Sequence, residues 1–206
     1  RMSDIIVAEL IVDGEVIATK DNYSIKANAQ NLLEDYADND EMVALVSDML
    51  NYGAAAQKYR GYNLDNLATD GVEGLVISTN APEESDMDLT ASTGDACFKS
   101  ASIYFADANY IVVKVKDYTE NTKLFVDENP VKMVDGVYMT DAIEAIRFGE
   151  VFSFQLVEND VVIQTLEYSV NSYAFSKQNS ETMGELALAL YNYGLSAKAY
   201  FLSMPH

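Results

Sequence analysis

Most of the side chains that enzymes use for chemistry are scarce in this sequence. The single histidine, His206, is the last of 206 residues. Without an internal histidine the chain cannot assemble a Ser-His-Asp or Cys-His nucleophile, or a histidine-based zinc or iron centre. Cys97 is the only cysteine, which excludes a disulfide within the chain and a thiolate zinc site, and leaves it the expected role of a small buried apolar residue. No run is long and apolar enough to cross a bilayer, and none reads as a signal peptide. Cations are few as well, with 13 Lys and Arg against 33 Asp and Glu and a formal charge of −20. Such a surface repels phosphate backbones and anionic lipid head groups, so neither nucleic acid nor direct membrane insertion is expected. Gly71-Val72-Glu73-Gly74 lacks the lysine, the preceding strand and the following helix of a phosphate-binding loop, so no nucleotide cofactor is expected.

What the sequence does contain is a repeat. Leu45–Tyr59 (LVSDMLNYGAAAQKY) matches Leu186–Tyr200 (LALALYNYGLSAKAY) in register, through Asn51-Tyr52-Gly53 and Asn192-Tyr193-Gly194. Upstream, Ile11–Ile25 lies over Leu156–Val170 with Tyr23-Ser24 over Tyr168-Ser169. From Tyr23 to Asn51 the first copy is four residues longer than the second from Tyr168 to Asn192, close to one helical turn, so the facing of the second helix is preserved. Two copies point to internal pseudosymmetry rather than to a solenoid, which needs three or more units.

Each copy reads as a hairpin followed by helices. Ile5–Leu10 with Val12 and Val16–Thr19 flank the turn signal Asp13-Gly14, and Phe152–Val157 and Val161–Tyr168 flank Asn159-Asp160. Ser24 is placed to cap a first helix carrying Ile25, Ala29, Leu32, Leu33 and Tyr36 at helical spacing, and Asp40 to cap a second. Leu45, Met49, Tyr52, Ala56 and Tyr59 form a stripe on that second helix, as Leu186, Leu190, Tyr193, Ala197 and Tyr200 do in the other copy. Glycine inside a helix costs about 1 kcal/mol relative to alanine. Its recurrence at Gly53 and Gly194 therefore suggests that the two long helices cross there about a pseudo-twofold axis. Between the copies, Leu75–Ser78, Ser102–Phe105, Tyr110–Val115, Lys123–Val126 and Val137–Met139 read as strands, and 80–95 as a mobile acidic loop. The fold class is α+β: an antiparallel sheet or sandwich with two pseudo-symmetric helical hairpins. Residues 1–206 read as one intertwined domain, with copies at about 5–62 and 150–203 and a β-rich insert at about 74–148.

The phrase ALVSDMLNYGAAAQKYRGYN, a β segment, and then LEYSV and ALALYNYGLSAKAYF together resemble a non-catalytic module recurrent in exported proteins of gut and rumen Firmicutes. Such modules occur in cellulosome-associated, dockerin-bearing and leucine-rich-repeat surface proteins. The resemblance spans nearly the whole chain, including Ala199-Tyr200-Phe201, and departs at Arg60, which stands where the second copy has Phe201. It implies an extracellular or cell-surface setting, other modules in the same polypeptide, and a binding or adhesion role. It carries no catalytic residues.

Within these bounds, ligand chemistry narrows to two sources. Calcium takes oxygen ligands alone, and Asp86, Asp88 and Asp95 share one acidic loop while Asp38, Asp40 and Glu41 share another; neither has the spacing of a known calcium loop, and a solvated acidic loop is the simpler reading. Tyrosine is abundant, 14 residues with no tryptophan, and offers a face for sugar stacking and a hydroxyl for hydrogen bonding. Tyr110, Tyr118 and Tyr138, beside expected β turns, are the glycan-binding candidates, with Asp117 and Asn121 as polar neighbours. The leading expectation is a non-enzymatic module that binds polysaccharide or host glycan. A structural or protein-interaction spacer is the alternative, and a glycosidase using a pair of acids the lesser one.

Overall fold

The computed structural model describes residues 2–204, so His206 lies outside the described residues. The chain divides into two compact units, Arg1–Asn80 with Glu181–His206, and Ala81–Ser180. The two copies of the repeat do not coincide with these units. The second copy's hairpin belongs to one unit and its long helix to the other. The α+β class is as expected: among the described residues four α-helices accompany antiparallel sheets.

The first unit opens with strands β1 (Ile6–Val12) and β2 (Glu15–Tyr23). Helices α1 (Ile25–Asp35) and α2 (Asp40–Arg60) follow. Ser24 caps α1 as expected, its hydroxyl accepting the Ala27 N–H at 2.9 Å. The cap of α2 is Asn39 and not Asp40: the Asn39 carboxamide accepts the Met42 N–H at 2.8 Å, and Asp40 is the first helical residue, where its charge suits the helix N-terminus. Ala29 and Leu33 of α1 close on Val43, Val46, Leu50 and Ala54 of α2, with Ala68 beneath, as one buried cluster. The stripe expected on α2 is therefore only the margin of its buried face; Tyr59 is exposed.

After α2 the chain makes an irregular excursion that α2 itself holds. The Gln57 carboxamide donates to the Asn63 and Asn66 carbonyls and accepts the Ala68 N–H at 2.7 Å. Ser47 accepts the Val76 N–H at 2.9 Å and Asp48 the Ser78 N–H at 2.8 Å. Leu75–Ser78 thus reads as a strand in sequence yet lies outside every sheet. Helix side chains take the role of its strand partner.

The last helix, here α4 (Gly184–Ser203), packs along α2. Tyr52 and Tyr193 stack with ring centroids 5.8 Å apart, and Lys58 near the end of α2 pairs with Glu185 at the start of α4, so the helices run antiparallel. Asn192 accepts the Asn80 N–H at 3.0 Å and donates to its carbonyl at 2.8 Å. Asn51 and Gly194 are half-buried and buried, respectively. Gly53 does not serve the helix crossing expected from the sequence. A Cβ there would lie 2.3 Å from Met2 Sδ and 3.2 Å from Ala68 Cβ, so the missing side chain admits the N-terminal segment and the 61–80 excursion rather than α4.

The second unit is built from eight strands, a single turn of 3-10 helix at Ala145–Arg147 and a short α-helix. A five-stranded sheet has the order β3-β10-β9-β6-β7, and a three-stranded sheet the order β4-β5-β8. Strands β3 (Asp88–Leu89), β4 (Cys97–Phe105), β5 (Asn109–Lys116), β6 (Thr122–Val126), β7 (Asn129–Val131) and β8 (Val137–Met139) precede the hairpin β9 (Phe152–Glu158) and β10 (Val161–Tyr168). Burial alternates along β5, with Ile111, Val113 and Val115 inward and Lys114 and Lys116 outward. Phe154 of β9 meets Tyr138 of β8 edge to face at 6.5 Å, and Gln164 of β10 accepts the Phe98 N–H at 2.8 Å, which ties the two sheets. Ser169 caps α3 (Val170–Lys177) in a reciprocal capping box with Ser172.

The acidic segment 80–95, expected to be mobile, is pinned. β3 pairs with β10, and the Thr90 and Thr93 amides donate to the Thr165 and Ile163 carbonyls.

Gly53→Leu is expected to lower stability by about 1–3 kcal/mol through overpacking. Met2→Ala in the same chain should restore a measurable part of it, read as denaturant midpoints; no restoration would contradict the packing described. Burial also holds the Tyr168 phenol above its ordinary value of 10.0, with Tyr173 and Asp86 adding to the effect. Because the unfolded chain releases that proton first, this contribution to stability is complete below about pH 10 and falls as pH rises further. In an alkaline titration followed by tyrosinate absorbance, Tyr168→Phe should remove one late-ionising phenol.

Candidate functional site

The five residues singled out as glycan contacts divide among three places in the second unit. After β5, Asp117 turns the chain with φ 56°, and Thr119 and Thr122 close the loop: the Thr119 N–H donates to Thr122 Oγ1 at 2.9 Å and the Asn121 N–H to Thr119 Oγ1 at 3.2 Å. The Thr122 hydroxyl in turn donates to Glu158 at 2.8 Å, anchoring the loop to the β9–β10 hairpin. Tyr118 is thereby held on a compact turn with its ring exposed. Asp117 and Asn121 flank it in the same turn, with Asp117 3.8 Å from Lys116.

Behind the Tyr118 ring lies the two-residue turn Asp135-Gly136, closed by reciprocal hydrogen bonds between Val134 and Val137. Gly136 has φ 71°, and a Cβ on it would lie 2.5 Å from the Tyr118 ring and 2.7 Å from the Val115 carbonyl oxygen. Only glycine lets the turn back onto the ring this closely.

The ring borders an open groove of about 320 Å³, whose other wall is β6 and the edge strand β7 with the residues that follow it. Lys123, Pro130, Lys132 and Met133 contribute to the lining, with Thr119, Thr122 and Asp135. Pro130 sits on an outermost strand, where its missing N–H breaks no ladder. Two ammonium groups in one groove matter in a chain of net charge −20, although Lys123 also reaches Asp160 at 3.1 Å. Asp135 is the one carboxylate among the lining residues, whereas cleavage of a glycosidic bond by acids uses two.

Tyr110 is elsewhere, near the far end of β5, roughly 20 Å away along the strand at about 3.3 Å per residue. It pairs across strands with the exposed Tyr104, ring centroids 6.3 Å apart, and donates its hydroxyl to Asp107 at 2.9 Å. That hydrogen bond raises the Tyr110 phenol and lowers the Asp107 carboxyl. Tyr138 faces inward against Phe154, and burial pushes its phenol up. Of the three, Tyr118 is the one that lines this groove. The β7 wall was missed in sequence because a strand of three residues, NPV, has no periodicity to detect.

Asp86, Asp88 and Asp95 are not gathered around a common point. Asp86 accepts the hydroxyls of both Ser169 and Ser172 at the α3 cap, and Asp88 lies in β3 opposite Glu167. Among the described residues no group of three or more His, Cys, Asp or Glu side chains could hold a metal ion, and no helix is long and apolar enough to cross a membrane.

No family model, no curated protein and no solved structure matches this chain.

Gly136→Ala is expected to displace Tyr118 and to lower the stability of the unit by about 1–3 kcal/mol, since backbone at positive φ and a carbonyl contact both oppose the methyl group. Tyr118→Ala should remove only the ring contact, so Gly136→Ala in that background should still be destabilising. Equal stability of the single and double variants would show the Val115 carbonyl contact to be unimportant.

Proposed function

We infer that this chain is a non-enzymatic glycan-binding module of a bacterial extracellular or cell-surface protein, with the Tyr118 groove as its site. The observation that carries the reading is the exposed Tyr118 ring, fixed from behind by Gly136 and bordering a concavity. An aromatic face offers stacking to the apolar side of a sugar ring, and the hydroxyl and ammonium groups around it offer hydrogen bonds to the equatorial oxygens. With one carboxylate in the lining, the groove suits binding better than hydrolysis. The charge of −20 weighs against nucleic acid and anionic lipid as partners. The sequence resemblance to modules of cellulosome-associated and leucine-rich-repeat surface proteins supports the setting.

A second reading, a structural or protein-interaction module, is favoured by one specific observation. The β1–β2 hairpin exposes Ile6, Val7, Leu10, Ile11, Val16 and Ile17. An apolar surface of that kind marks a protein contact more often than a sugar site.

Binding of the purified chain to soluble and insoluble plant polysaccharides and to mucin glycans, each with calcium and with chelator, tests the first reading. Saturable binding that weakens by about 1–2 kcal/mol, roughly five- to thirtyfold, in Tyr118→Ala is the expected outcome. Tyr110→Ala should leave it unchanged. Absence of binding across the panel would transfer the weight to the second reading.

A further inference from the structure

The two hairpins of this chain are built alike and buried differently. Both turn through two residues of positive φ, Asp13 and Gly14 at 52° and 85°, and Asn159 and Asp160 at 49° and 61°. Both carry a bulge at the third residue after the turn: Ile17 is passed over between Leu10–Ala18 and Ile11–Val16, and Ile163 between Leu156–Gln164 and Val157–Val162. Tyr23 pairs with Ile6 as Tyr168 pairs with Phe152. Each hairpin then enters a helix through a capping serine, and in each the chain just before the first strand accepts a backbone bond from the second residue of that helix, Lys26 N–H to Met2 and Asn171 N–H to Phe148. The residues before the strands match too, Arg1-Met2-Ser3-Asp4 over Arg147-Phe148-Gly149-Glu150. One extra residue in β2 near Asp21-Asn22 accounts for the one-position shift between this match and the alignment through Tyr23.

At equivalent positions the side chains are apolar in both hairpins. Phe152, Leu156, Val157, Ile163 and Tyr168 are 8% exposed or less, whereas Ile6, Leu10, Ile11, Ile17 and Tyr23 are 47% to 59% exposed. The difference lies in the surroundings. β9 is paired on its outer edge by β6, and β10 on its outer edge by β3, while β1 and β2 form a sheet of their own. The two-stranded hairpin therefore leaves apolar side chains in water on both of its faces, Ile6 and Leu10 on one and Val7 and Ile11 on the other.

We propose that β1–β2 is the closing hairpin of another β-unit of the 81–168 kind, whose remaining strands come from a segment like 81–146 that enters the hairpin from its N-terminal side. The chain order is that of the second unit, where β3–β8 precede β9. Charge favours this occupant over a second copy of the hairpin. Glu9, Asp13, Glu15 and Asp21 outnumber Lys20, so two such hairpins paired with each other would bring like charges together in a chain already at −20. A β6-like strand instead brings a cation and a hydroxyl to the turn end of the hairpin: in the second unit Lys123 reaches Asp160 at 3.1 Å and the Thr122 hydroxyl reaches Glu158 at 2.8 Å, and the first hairpin carries its acids at that same end as Asp13 and Glu15, with Gly14 and Val12 at the directly equivalent positions. The proposal does not rest on glycan binding.

A tandem with residues 81–146 placed directly before Arg1 supplies the segment from this chain's own sequence. In it the β1 and β2 amides are expected to exchange with deuterium at least tenfold more slowly than in the 206-residue chain, and a thiol introduced by Leu10→Cys in the Cys97→Ser background to lose its reactivity. A control tandem, in which Phe152–Tyr168 replaces Ile6–Tyr23, should fold with its added hairpin protected. Unchanged exchange of the β1 amides in the first tandem overturns the proposal, as does failure of the control to fold, because 81–146 would then not be a unit that a hairpin closes. Dimers of the 206-residue chain with protected β1 amides would overturn it in favour of self-pairing.

Discussion

The first unit depends on polar side chains buried along α2. A chain that leaves a helix and wanders for twenty residues must find partners for its peptide groups, and burial without them is costly. Gln57, Ser47 and Asp48 supply those partners, and Asn192 of α4 supplies the last of them at Asn80. The amides of Val76, Ser78 and Asn80 are taken at every second residue, the period at which an extended chain presents successive N–H groups to one side. Two helices therefore do for 76–80 what a neighbouring strand would do. The apolar cluster of Leu33, Val46, Leu50 and Ala54 drives the packing, but the polar set decides where the excursion runs.

In the second unit the corresponding constraint is the tie between sheets and turns. Gln164 bridges β10 to the Phe98 amide, Thr122 links its turn to Glu158, and Asp86 holds the cap of α3 through two serine hydroxyls. A segment that is merely acidic by composition is thus structural by position. The same economy shapes the Tyr118 turn, where the polar residues of the loop satisfy one another and leave the ring exposed.

Local signals were legible where local physics decides. Asp13-Gly14 and Asn159-Asp160 mark both hairpins, Ser24 caps α1, and Val161–Tyr168 is one strand with those ends. What escaped is tertiary. Leu75–Ser78 has strand composition but no strand partner, Gly53 admits Met2 rather than α4, and β7 is too short to show a pattern. The candidate tyrosines fared similarly, since turn proximity is shared by Tyr110, Tyr118 and Tyr138 while Tyr118 is the one that lines this groove, whose walls form only once β6 and β7 pair and the Asp135-Gly136 turn closes behind the ring. Three acids within ten residues looked like a ligand set, yet Asp86 is claimed by the helix cap, a demand visible only once α3 is in place.

The split of the first unit across the chain has a consequence for biosynthesis. Ala81–Ser180 is continuous, and every strand pairing of its two sheets is made within it, so it can reach its native form while still tethered at the ribosome. The α1–α2 pair cannot be finished in that order. The partner of Tyr52, the acceptor for the Asn80 amide and the ion pair to Lys58 all arrive with α4, which is made after the whole β-unit. During synthesis the N-terminal helices therefore wait, with one face uncovered, through the translation of the whole β-unit.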